Sequence, residues 1–299
     1  MTANTRAALL MMLSMAAFTI NDACVKVMGD ALPLFQIITL RGALACILIY
    51  ILARSMGAIH LRMSGGDWAL VALRCVAEAA ATYFFLTALF HLPLANVTAV
   101  LQMLPLTVTL GAFLLFGEQV GWRRMAAILC GFLGMILIVR PGPEGFSLHA
   151  IYALAAMVCV TVRDLATRRM SANVSSLTVT LIASLTVFAF AAIGSLGDDW
   201  QPITWPLAGL IALAAVLVMG GYLFSILVMR SGEVSFTAPF RYTGLVWALG
   251  LGWFVFGDWP DTLTLAGAGI VVASGLFTLY RERAVVGEDG LAAEATRHP

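Results

Sequence analysis

The sequence predicts an all-α membrane protein with ten transmembrane helices, arranged as two inverted repeats of five helices. Three observations support this fold class. Hydrophobic residues make up 61% of the 299 residues and charged residues only 11%, whereas a soluble domain carries about 25% charged residues. Apolar runs long enough to span a bilayer follow one another along the chain. The second half also repeats motifs of the first half.

Ten apolar runs are separated by turn-forming residues, and each run is close to the ~20 residues that cross a bilayer core of ~30 Å. The predicted spans cover residues 7–27, 34–53, 67–90, 94–116, 122–139, 148–168, 177–195, 206–229, 235–256 and 262–281. In chain order, the main breaks are Gly29-Asp30, Ser64-Gly65-Gly66, His91-Leu92-Pro93, Pro141-Gly142-Pro143, Gly197-Asp198-Asp199 and Asp258-Trp259-Pro260. We therefore expect one helix in each run.

Corresponding motifs reveal the internal repeat. Phe116-Gly117-Glu118 corresponds to Phe256-Gly257-Asp258 at an offset of 140 residues, and Asn21-Asp22 corresponds to Arg163-Asp164 at an offset of 142. Five spans per half is an odd number, so the second half enters the membrane from the opposite side. The predicted units are therefore two inverted repeats and a disordered cytoplasmic tail, covering residues 7–140, 148–281 and 284–299.

Basic residues near the ends of the spans and in the connections predict the orientation, because cytoplasmic loops carry an excess of lysine and arginine. With a cytoplasmic N-terminus, most of them fall inside: Arg6, Arg54, Arg62, Arg123, Arg124, Arg168, Arg169, Arg230, Arg281, Arg283 and Arg297. Only Lys26 and Arg140 fall outside. We therefore expect a multi-pass protein of a bacterial inner membrane with both termini in the cytoplasm.

Composition and motifs argue against several other functions. The net charge is +1 and the chain has no basic run, so we expect no nucleic-acid partner. The five cysteines form no Cys-x-x-Cys pair and the four histidines are scattered, so we expect no metal and no cofactor. A membrane-embedded enzyme remains a remote alternative, since such enzymes cluster acidic or histidine residues on one helix face. A channel is a third alternative.

Charged residues inside the spans are the main functional candidates, because a charge at the bilayer centre costs about 2.5–3.5 kcal/mol unless it is paired or hydrated. They are Asp22, Arg41, Arg74, Glu78, Arg163, Asp164 and Arg241. Depth along the helices predicts two groups. Asp22 and Arg41 form an ion pair near the outer side, with a gating or structural role. The other five form an inner cluster of three positive and two negative charges, which suits an anion or the carboxylate of a zwitterion.

Two alternatives stay open for this inner cluster. Arg74 and Glu78 are four residues apart and would also neutralise each other on one helix face. Arg163 would also extend its guanidinium to the inner interface beside Arg168 and Arg169.

Uncharged candidates for substrate contact are Gln102, its repeat counterpart Tyr242, and Tyr83. Tyr83, like Tyr222 and Trp247, would stack on an aromatic or sulfonium-bearing ligand, or would serve as an ordinary packing residue. Glycines in the fifth and tenth spans permit close helix contact and predict a scaffold or a dimer face; they are Gly131, Gly134, Gly267, Gly269 and Gly275.

Several motifs resemble one known family. Thr39-Leu40-Arg41-Gly42 resembles the arginine-bearing second helix of the EamA-type drug/metabolite transporter superfamily. The residues Ala88-Leu89, Pro93-Leu94-Ala95, Leu104-Pro105-Leu106, Phe116-Gly117-Glu118 and Gly131 resemble its signature over helices three to five. This resemblance covers residues 7–281 and implies a ten-helix carrier built from two five-helix inverted repeats.

A narrower similarity points to a subgroup that includes S-adenosylmethionine uptake carriers. It rests on Asn21-Asp22, Leu73-Arg74, Arg163-Asp164 and the segment 237–242. Arg163 departs from the pattern of that subgroup, in which the residue before the aspartate is usually apolar. The resemblance implies a small-molecule cargo without identifying it, because other members export amino acids or move vitamins and organic anions.

The predicted function is therefore secondary transport, not catalysis. We expect the protein to move a small polar organic metabolite, an amino acid or an amino-acid-derived zwitterion such as S-adenosylmethionine, by alternating access. The alternatives are an exporter of amino acids or a carrier of a vitamin or organic anion. Glu78 is the candidate for proton coupling, and further expected partners are the lipid bilayer and, as an open question, a second copy of the chain.

Overall fold

The structure is a computed structural model that describes residues 3–118, 120–140, 147–171, 173–231 and 234–295. Twelve α-helices and no strands occur in these residues. The helices are α1 (Ala3–Met28), α2 (Leu34–Ser55), α3 (Gly65–His91), α4 (Leu94–Leu101), α5 (Leu104–Phe116), α6 (Trp122–Val139), α7 (Leu148–Arg169), α8 (Ser176–Gly194), α9 (Trp205–Ser231), α10 (Val234–Thr237), α11 (Thr243–Phe256) and α12 (Thr262–Ala295). Short 3₁₀ helices cover Ser195–Gly197 and Ala238–Tyr242. The predicted all-α membrane fold is confirmed.

Two of the ten predicted spans are interrupted. Nine segments in the described ranges are long and apolar enough to cross a membrane, and one of them, Leu94–Phe116, consists of α4 and α5 together. The other interrupted span, 235–256, is divided into α10, the 3₁₀ helix at Ala238–Tyr242 and α11. Proline promotes both breaks, because it has no N–H to donate and its ring crowds the preceding turn. In inverted-repeat membrane folds, interruptions at matching positions of the two halves mark the binding region.

Helix packing shows the twofold relation between the halves. α1 packs against α9, and the equivalent contact in the other half is that of α7 with α3. Likewise α1 contacts α11 while α7 contacts α5, and α2 contacts α9 while α8 contacts α3. Two pairs contain equivalent helices, α2 with α8 and α6 with α12. Each of these contacts is thus matched by its counterpart, as two repeats require.

The repeated Phe-Gly-acid motif is a helix terminator. Gly117 ends α5 and Gly257 ends α11, and both adopt left-handed backbone angles, with φ of 68° and 69°. A side chain at this conformation would be strained, so glycine is preferred. The N–H groups of Glu118 and Asp258 donate back to carbonyl oxygens six residues earlier. The motif therefore stops the two interrupted spans in the same way.

The predicted glycine contacts form a scaffold within the chain. A Cβ atom built on Gly134 would lie 2.8 Å from the carbonyl oxygen of Gly267, and one built on Gly267 would lie 2.5 Å from that of Gly134. The backbones of α6 and α12 therefore touch directly. Gly131 contacts the Leu106 side chain and Gly275 contacts Tyr242, whereas Gly269 faces open space. The homodimer stays a prediction.

The C-terminal segment continues the last helix. The backbone of α12 is helical as far as Ala295, whereas the sequence predicts a disordered tail over 284–299. The segment contains alanine, leucine and glutamate, which favour a helix when one is already formed. Residues 296–299 lie outside the described residues, and the disorder of the tail stays a prediction.

Asp261 caps α12 just before its membrane-spanning part. Its Oδ1 accepts a hydrogen bond of 2.8 Å from the N–H of Thr264, and its carboxylate pairs with Arg140. The Thr264 hydrogen bond, assisted by the Arg140 charge, holds the pKa of Asp261 below its ordinary value. A carboxyl whose pKa is lowered by folding contributes stability above its unfolded-state pKa and loses it as the pH falls through the folded-state pKa.

We therefore expect acid to affect the wild-type protein more than Asp261→Asn. Between about pH 5 and about pH 3, the thermal unfolding midpoint of the wild type should fall more steeply, because only its cap is protonated. Thermal unfolding of both proteins across this range measures the difference. Parallel curves would show that the cap contributes nothing that depends on pH.

Candidate functional site

A buried acid, Glu78, lies at the middle of α3 and is the centre of the charged cluster. Its carboxylate accepts hydrogen bonds from three side chains: Arg74 at 3.3 Å, Arg163 at 3.2 and 3.4 Å, and the Tyr222 hydroxyl at 3.3 Å. Only 11% of the Glu78 side chain is exposed. This arrangement explains how a charge persists inside an apolar helix, since each carboxylate oxygen is paired.

Helix packing and residue spacing bring these groups together. Arg74 precedes Glu78 by four residues, which places both on one face of α3. α3 packs against α7, and this contact brings Arg163 of the second repeat to Glu78 of the first. The α9 side chain Tyr222 packs edge-on against Phe18 of α1, with ring centroids 5.3 Å apart. The cluster therefore joins the two repeats.

Arg163 connects both acids of the inner cluster. Besides Glu78, its guanidinium contacts Asp164 at 2.8 Å, and its side chain is 22% exposed. The guanidinium of Arg163 thus lies between Glu78 and Asp164 and does not extend to the interface. For Arg74, the predicted neutralising contact with Glu78 exists, but Glu78 shares its oxygens with Arg163. The Nε of Arg74 is buried and has no hydrogen-bond partner among the described residues.

The predicted pair of Asp22 and Arg41 is bridged by a third residue. Arg41 donates to the Oδ1 of Asn21 at 2.9 Å, and the Nδ2 of Asn21 donates to Asp22 at 2.9 Å. No direct ion pair joins the two charges within the described part of the chain. Asn21 therefore orients both groups, a role that the sequence analysis does not assign to it.

One cavity connects the two predicted charge groups. It has a volume of about 60 Å³ and is lined by residues of α2, α3, α8 and α9. The polar lining residues are Arg41, Arg74, Glu78, Thr82, Thr180, Ser184 and Tyr222. Pockets for metabolites usually have volumes of about 300–1,000 Å³. This conformation is therefore constricted around its polar centre.

The formal charges around the cavity sum to zero. The arginines are Arg41, Arg74 and Arg163, and the acids are Asp22, Glu78 and Asp164. The surplus positive charge expected from Arg241 is not part of this set: within the described residues, no ion pair joins Arg241 to the cluster. A neutral set with separated positive and negative groups can interact with both ends of a zwitterion.

The remaining predicted site residues contact other parts of the fold. Tyr83 belongs to an aromatic group, stacked on Phe35 at 5.9 Å and packed edge-on against Tyr152 and Phe190. Gln102 is buried at the break between α4 and α5, and its Nε2 faces Gly244 of α11. Its counterpart Tyr242 lies instead over Gly275 of α12, with its hydroxyl buried and unpartnered among the described residues.

One residue of the site has a role that the sequence does not predict. The sequence predicts Tyr222 only as a stacking candidate. The structure gives Tyr222 a polar contact, the hydrogen bond to Glu78. A tyrosine in a membrane helix has too many packing partners for sequence alone to indicate this contact.

Comparison with known proteins identifies related sequences. The model of the EamA-like transporter family matches residues 5–140 and again residues 147–280. The chain is 29% identical over 268 residues to the pseudopaline exporter CntI of Pseudomonas aeruginosa, covering 89% of this chain and 93% of that protein. It is 24% identical over 279 residues to the S-adenosylmethionine uptake transporter of Rickettsia prowazekii, covering 91% and 92% of the two chains.

A third relative and a solved structure extend these similarities. The riboflavin transporter of Vibrio cholerae is 27% identical over 249 residues, covering 82% of this chain and 83% of that protein. A crystal structure with 17% sequence identity superposes with a TM-score of 0.64, covering 94% of this chain and 99% of that chain. At this level of identity, the structural similarity supports the fold alone.

Proposed function

The chain belongs to the EamA-like transporter family, and we propose that it is a secondary carrier for a small polar organic metabolite. The proposed cargo is an amino acid or an amino-acid-derived zwitterion such as S-adenosylmethionine. The proposed location is the inner membrane of a bacterium, with both termini in the cytoplasm, as the distribution of basic residues indicates. Transport would follow alternating access between the two inverted repeats.

The observation that carries this proposal is the neutral set of charges around the cavity. A zwitterion's carboxylate would bind the arginine side, where the Nε of Arg74 is buried without a partner among the described residues. Its cationic group would bind Glu78 and replace the guanidinium of Arg163. Charge-assisted hydrogen bonds of this kind are roughly twice as strong as neutral ones. The site would therefore exchange internal ion pairs for equivalent pairs with the cargo.

The constricted cavity supports a cycle of opening and closing. A volume of about 60 Å³ holds water but no amino acid. Cargo would enter only after the helices around the cavity separate at one end. An internal twofold relation allows the same separation at the other end, because the second repeat would adopt the conformation of the first.

A second candidate cargo is a vitamin with an aromatic ring system. The aromatic group of Phe35, Tyr83, Tyr152 and Phe190 favours it, because flat ligands stack on such side chains. The relative in Vibrio cholerae is named a riboflavin transporter. Riboflavin therefore belongs in the same binding screen as the zwitterions.

Ligand screening by thermal shift tests the proposal. Purified protein in detergent is heated with amino acids, S-adenosylmethionine, riboflavin and dicarboxylates, since a ligand that binds only the folded state raises the unfolding temperature. We expect stabilisation by a zwitterion, followed by saturable uptake of that compound into proteoliposomes. A screen in which dicarboxylates stabilise and zwitterions do not would contradict the proposed cargo.

The variant Arg74→Gln tests the site itself. We expect it to weaken zwitterion binding by about 10-fold to 100-fold, because one hydrogen bond to a charged group contributes about 1.5–3 kcal/mol. Isothermal titration with the ligand found in the screen measures the change. Arg241→Ala is the companion variant, and weaker binding there would support the sequence-based placement of Arg241 beside the pathway. Unchanged binding in Arg74→Gln would remove Arg74 from the site.

Proton coupling through Glu78 is part of the proposal. Uptake into proteoliposomes should then accelerate across an imposed pH step of the favourable direction. Equal uptake rates with and without the step would count against protons as the coupling ion.

A further inference from the structure

Two polar side chains occupy equivalent positions at the start of α2 and α8. Gln36 is the third residue of α2 and Thr178 is the third residue of α8. They are separated by 142 residues, the same offset that relates Asn21 to Arg163. Gln36 is 0% exposed and Thr178 is 1% exposed. Neither residue lies in the charged cluster, so the transport site does not explain their burial.

Each of these side chains bridges the backbone of a segment from the other repeat. The Nε2 of Gln36 donates to the carbonyl oxygen of Gln201 at 2.8 Å, and the N–H of Gln201 donates to the Oε1 of Gln36 at 2.9 Å. The hydroxyl of Thr178 donates to the carbonyl oxygen of Ala58 at 2.7 Å, and the N–H of His60 donates to that hydroxyl at 3.0 Å. Each side chain thus makes one donated and one accepted bond.

The two bridges lie at opposite ends of the helix pair α2 and α8. The Gln36 bridge joins the start of α2 to the segment that follows α8, and the Thr178 bridge joins the start of α8 to the segment that follows α2. The two helices are therefore antiparallel, and the bridges are roughly 30 Å apart at a rise of ~1.5 Å per residue. The central cavity lies between them, lined by α2 at Arg41 and by α8 at Ser184.

We propose that Gln36 and Thr178 are positioning residues that hold the two mouths of the central cavity closed. Each works as a latch, because its two hydrogen bonds tie one repeat to the other at one end. When one latch opens, the cavity gains access to that side of the membrane while the other latch stays closed. The inference rests on the proposed alternating access, and it assigns the two ends to two specific residues.

Only one of the two latches has an additional hydrogen bond between helices beside it among the contacts described. At the Thr178 end, Asp67 also accepts a hydrogen bond of 3.0 Å from the N–H of Ser171, which joins α3 to the segment after α7. The corresponding position in the second repeat is Leu207 at an offset of 140 or Gly209 at an offset of 142, and neither residue has a side chain that can accept this bond. Loss of the Gln36 latch should therefore open its end more readily than loss of the Thr178 latch opens the other.

Hydrogen–deuterium exchange of the full chain in lipid nanodiscs tests the proposal. The variants are Gln36→Met and Thr178→Val, which keep side-chain size and remove the bridging bonds. For Gln36→Met we expect about tenfold faster exchange in segment 196–204 and slower exchange in segment 56–64. For Thr178→Val we expect the reverse. These opposite signs follow because opening one end increases the population in which the other end is closed.

A third and a fourth variant separate this result from simple damage to the fold. In Gln36→Glu the carboxylate still accepts from the N–H of Gln201 but places a buried negative charge against the Gln201 carbonyl oxygen, so we expect a larger effect of the same sign. Thr278→Val is the matched control, since Thr278 is as buried as Thr178 and its hydroxyl bonds only to the carbonyl of Ser274 within a turn of α12 among the hydrogen bonds described. Its exchange should match the wild type in both segments.

Two outcomes would overturn the proposal. Faster exchange in both segments for either latch variant would show general loosening, and wild-type exchange in both variants would show that the bridges hold nothing. The experiment contains no cargo, so its result is independent of which ligand binds. If no zwitterion stabilises the protein in the ligand screen but the two latch variants change exchange in opposite directions, the proposed cargo is rejected and the latch proposal stands.

Discussion

Glutamine in place of Glu78 is expected to lower the free energy of unfolding by about 3–5 kcal/mol and to remove zwitterion binding. Glu78→Gln has nearly the size of the wild-type residue but leaves Arg74 buried without its negative partner and leaves Arg163 with Asp164 alone. Removing one member of a buried ion pair has this large effect because the remaining charge is poorly solvated. Thermal unfolding in detergent and ligand titration measure the two consequences.

The matched control for this prediction is Glu118→Gln. Glu118 also pairs with an arginine, Arg168, but the side chains are 43% and 49% exposed. An exposed pair contributes between zero and about 1 kcal/mol, so we expect almost unchanged stability. Equal losses in Glu118→Gln and Glu78→Gln would show that burial does not distinguish the two pairs. A stable Glu78→Gln protein that still binds the ligand would exclude Glu78 from the site.

The second large effect is expected where α6 meets α12. In Gly134→Ala or Gly267→Ala the added methyl group would lie within 2.8 Å of a backbone carbonyl oxygen. A backbone atom cannot turn aside as a flexible side chain does, so the two helices must separate. Overpacking of this kind costs about 1–3 kcal/mol, and we expect the upper end of that range. A lower thermal unfolding midpoint and reduced yield of folded protein measure it.

Gly269→Ala provides the control on the same helix as Gly267. Nothing lies within 4 Å of a Cβ atom at this position, and alanine is favoured over glycine in a helix by about 0.8–1 kcal/mol. We therefore expect unchanged or slightly raised stability. A loss of stability equal to that of Gly267→Ala would mean that an added methyl group on α12 destabilises the protein even where nothing lies close to it. The close contact with Gly134 would then not be the cause.

The fold follows from the sequence because a bilayer imposes strong rules on it. Span length, the odd number of spans per half and the repeated Phe-Gly-acid motif together predict the inverted repeat. The interruptions are harder to predict. Hydropathy is continuous across Leu94–Phe116, and a single proline does not indicate whether a helix kinks or stops. The break at Gln102 is evident only in the structure, from the backbone hydrogen bonds around this residue.

For the charged cluster, the sequence predicts which residues take part better than it predicts how they are arranged. Charges in apolar runs identify its members, and the spacing of Arg74 and Glu78 gives one true contact. Counting residues along each helix separated Arg41 from Glu78 by depth, but depth along one helix ignores how neighbouring helices tilt. In the structure both residues line one cavity. For the same reason, sequence cannot indicate that Asn21 lies between Asp22 and Arg41.

The sequence also does not indicate the direction in which a buried side chain points. Gln102 and Tyr242 are equivalent in the repeat, yet Gln102 faces α11 and Tyr242 faces α12. A bulky ring fits only where the facing helix has a glycine, as α12 does at Gly275. The latch residues were missed because glutamine and threonine near a helix start have many ordinary roles, including capping.

The balance of formal charge around the cavity determines how the membrane potential acts on the carrier. Moving one elementary charge through the full potential changes the free energy by about 2.3 kcal/mol per 100 mV. Three arginines and three acids carry no net charge, so this set would transfer no net charge when the empty carrier reorients. At this site, the net charge of the cargo and of any co-transported ion would then determine the current. A neutral zwitterion moved alone would distribute across the membrane without regard to voltage, whereas a cationic cargo would be drawn toward the negative side.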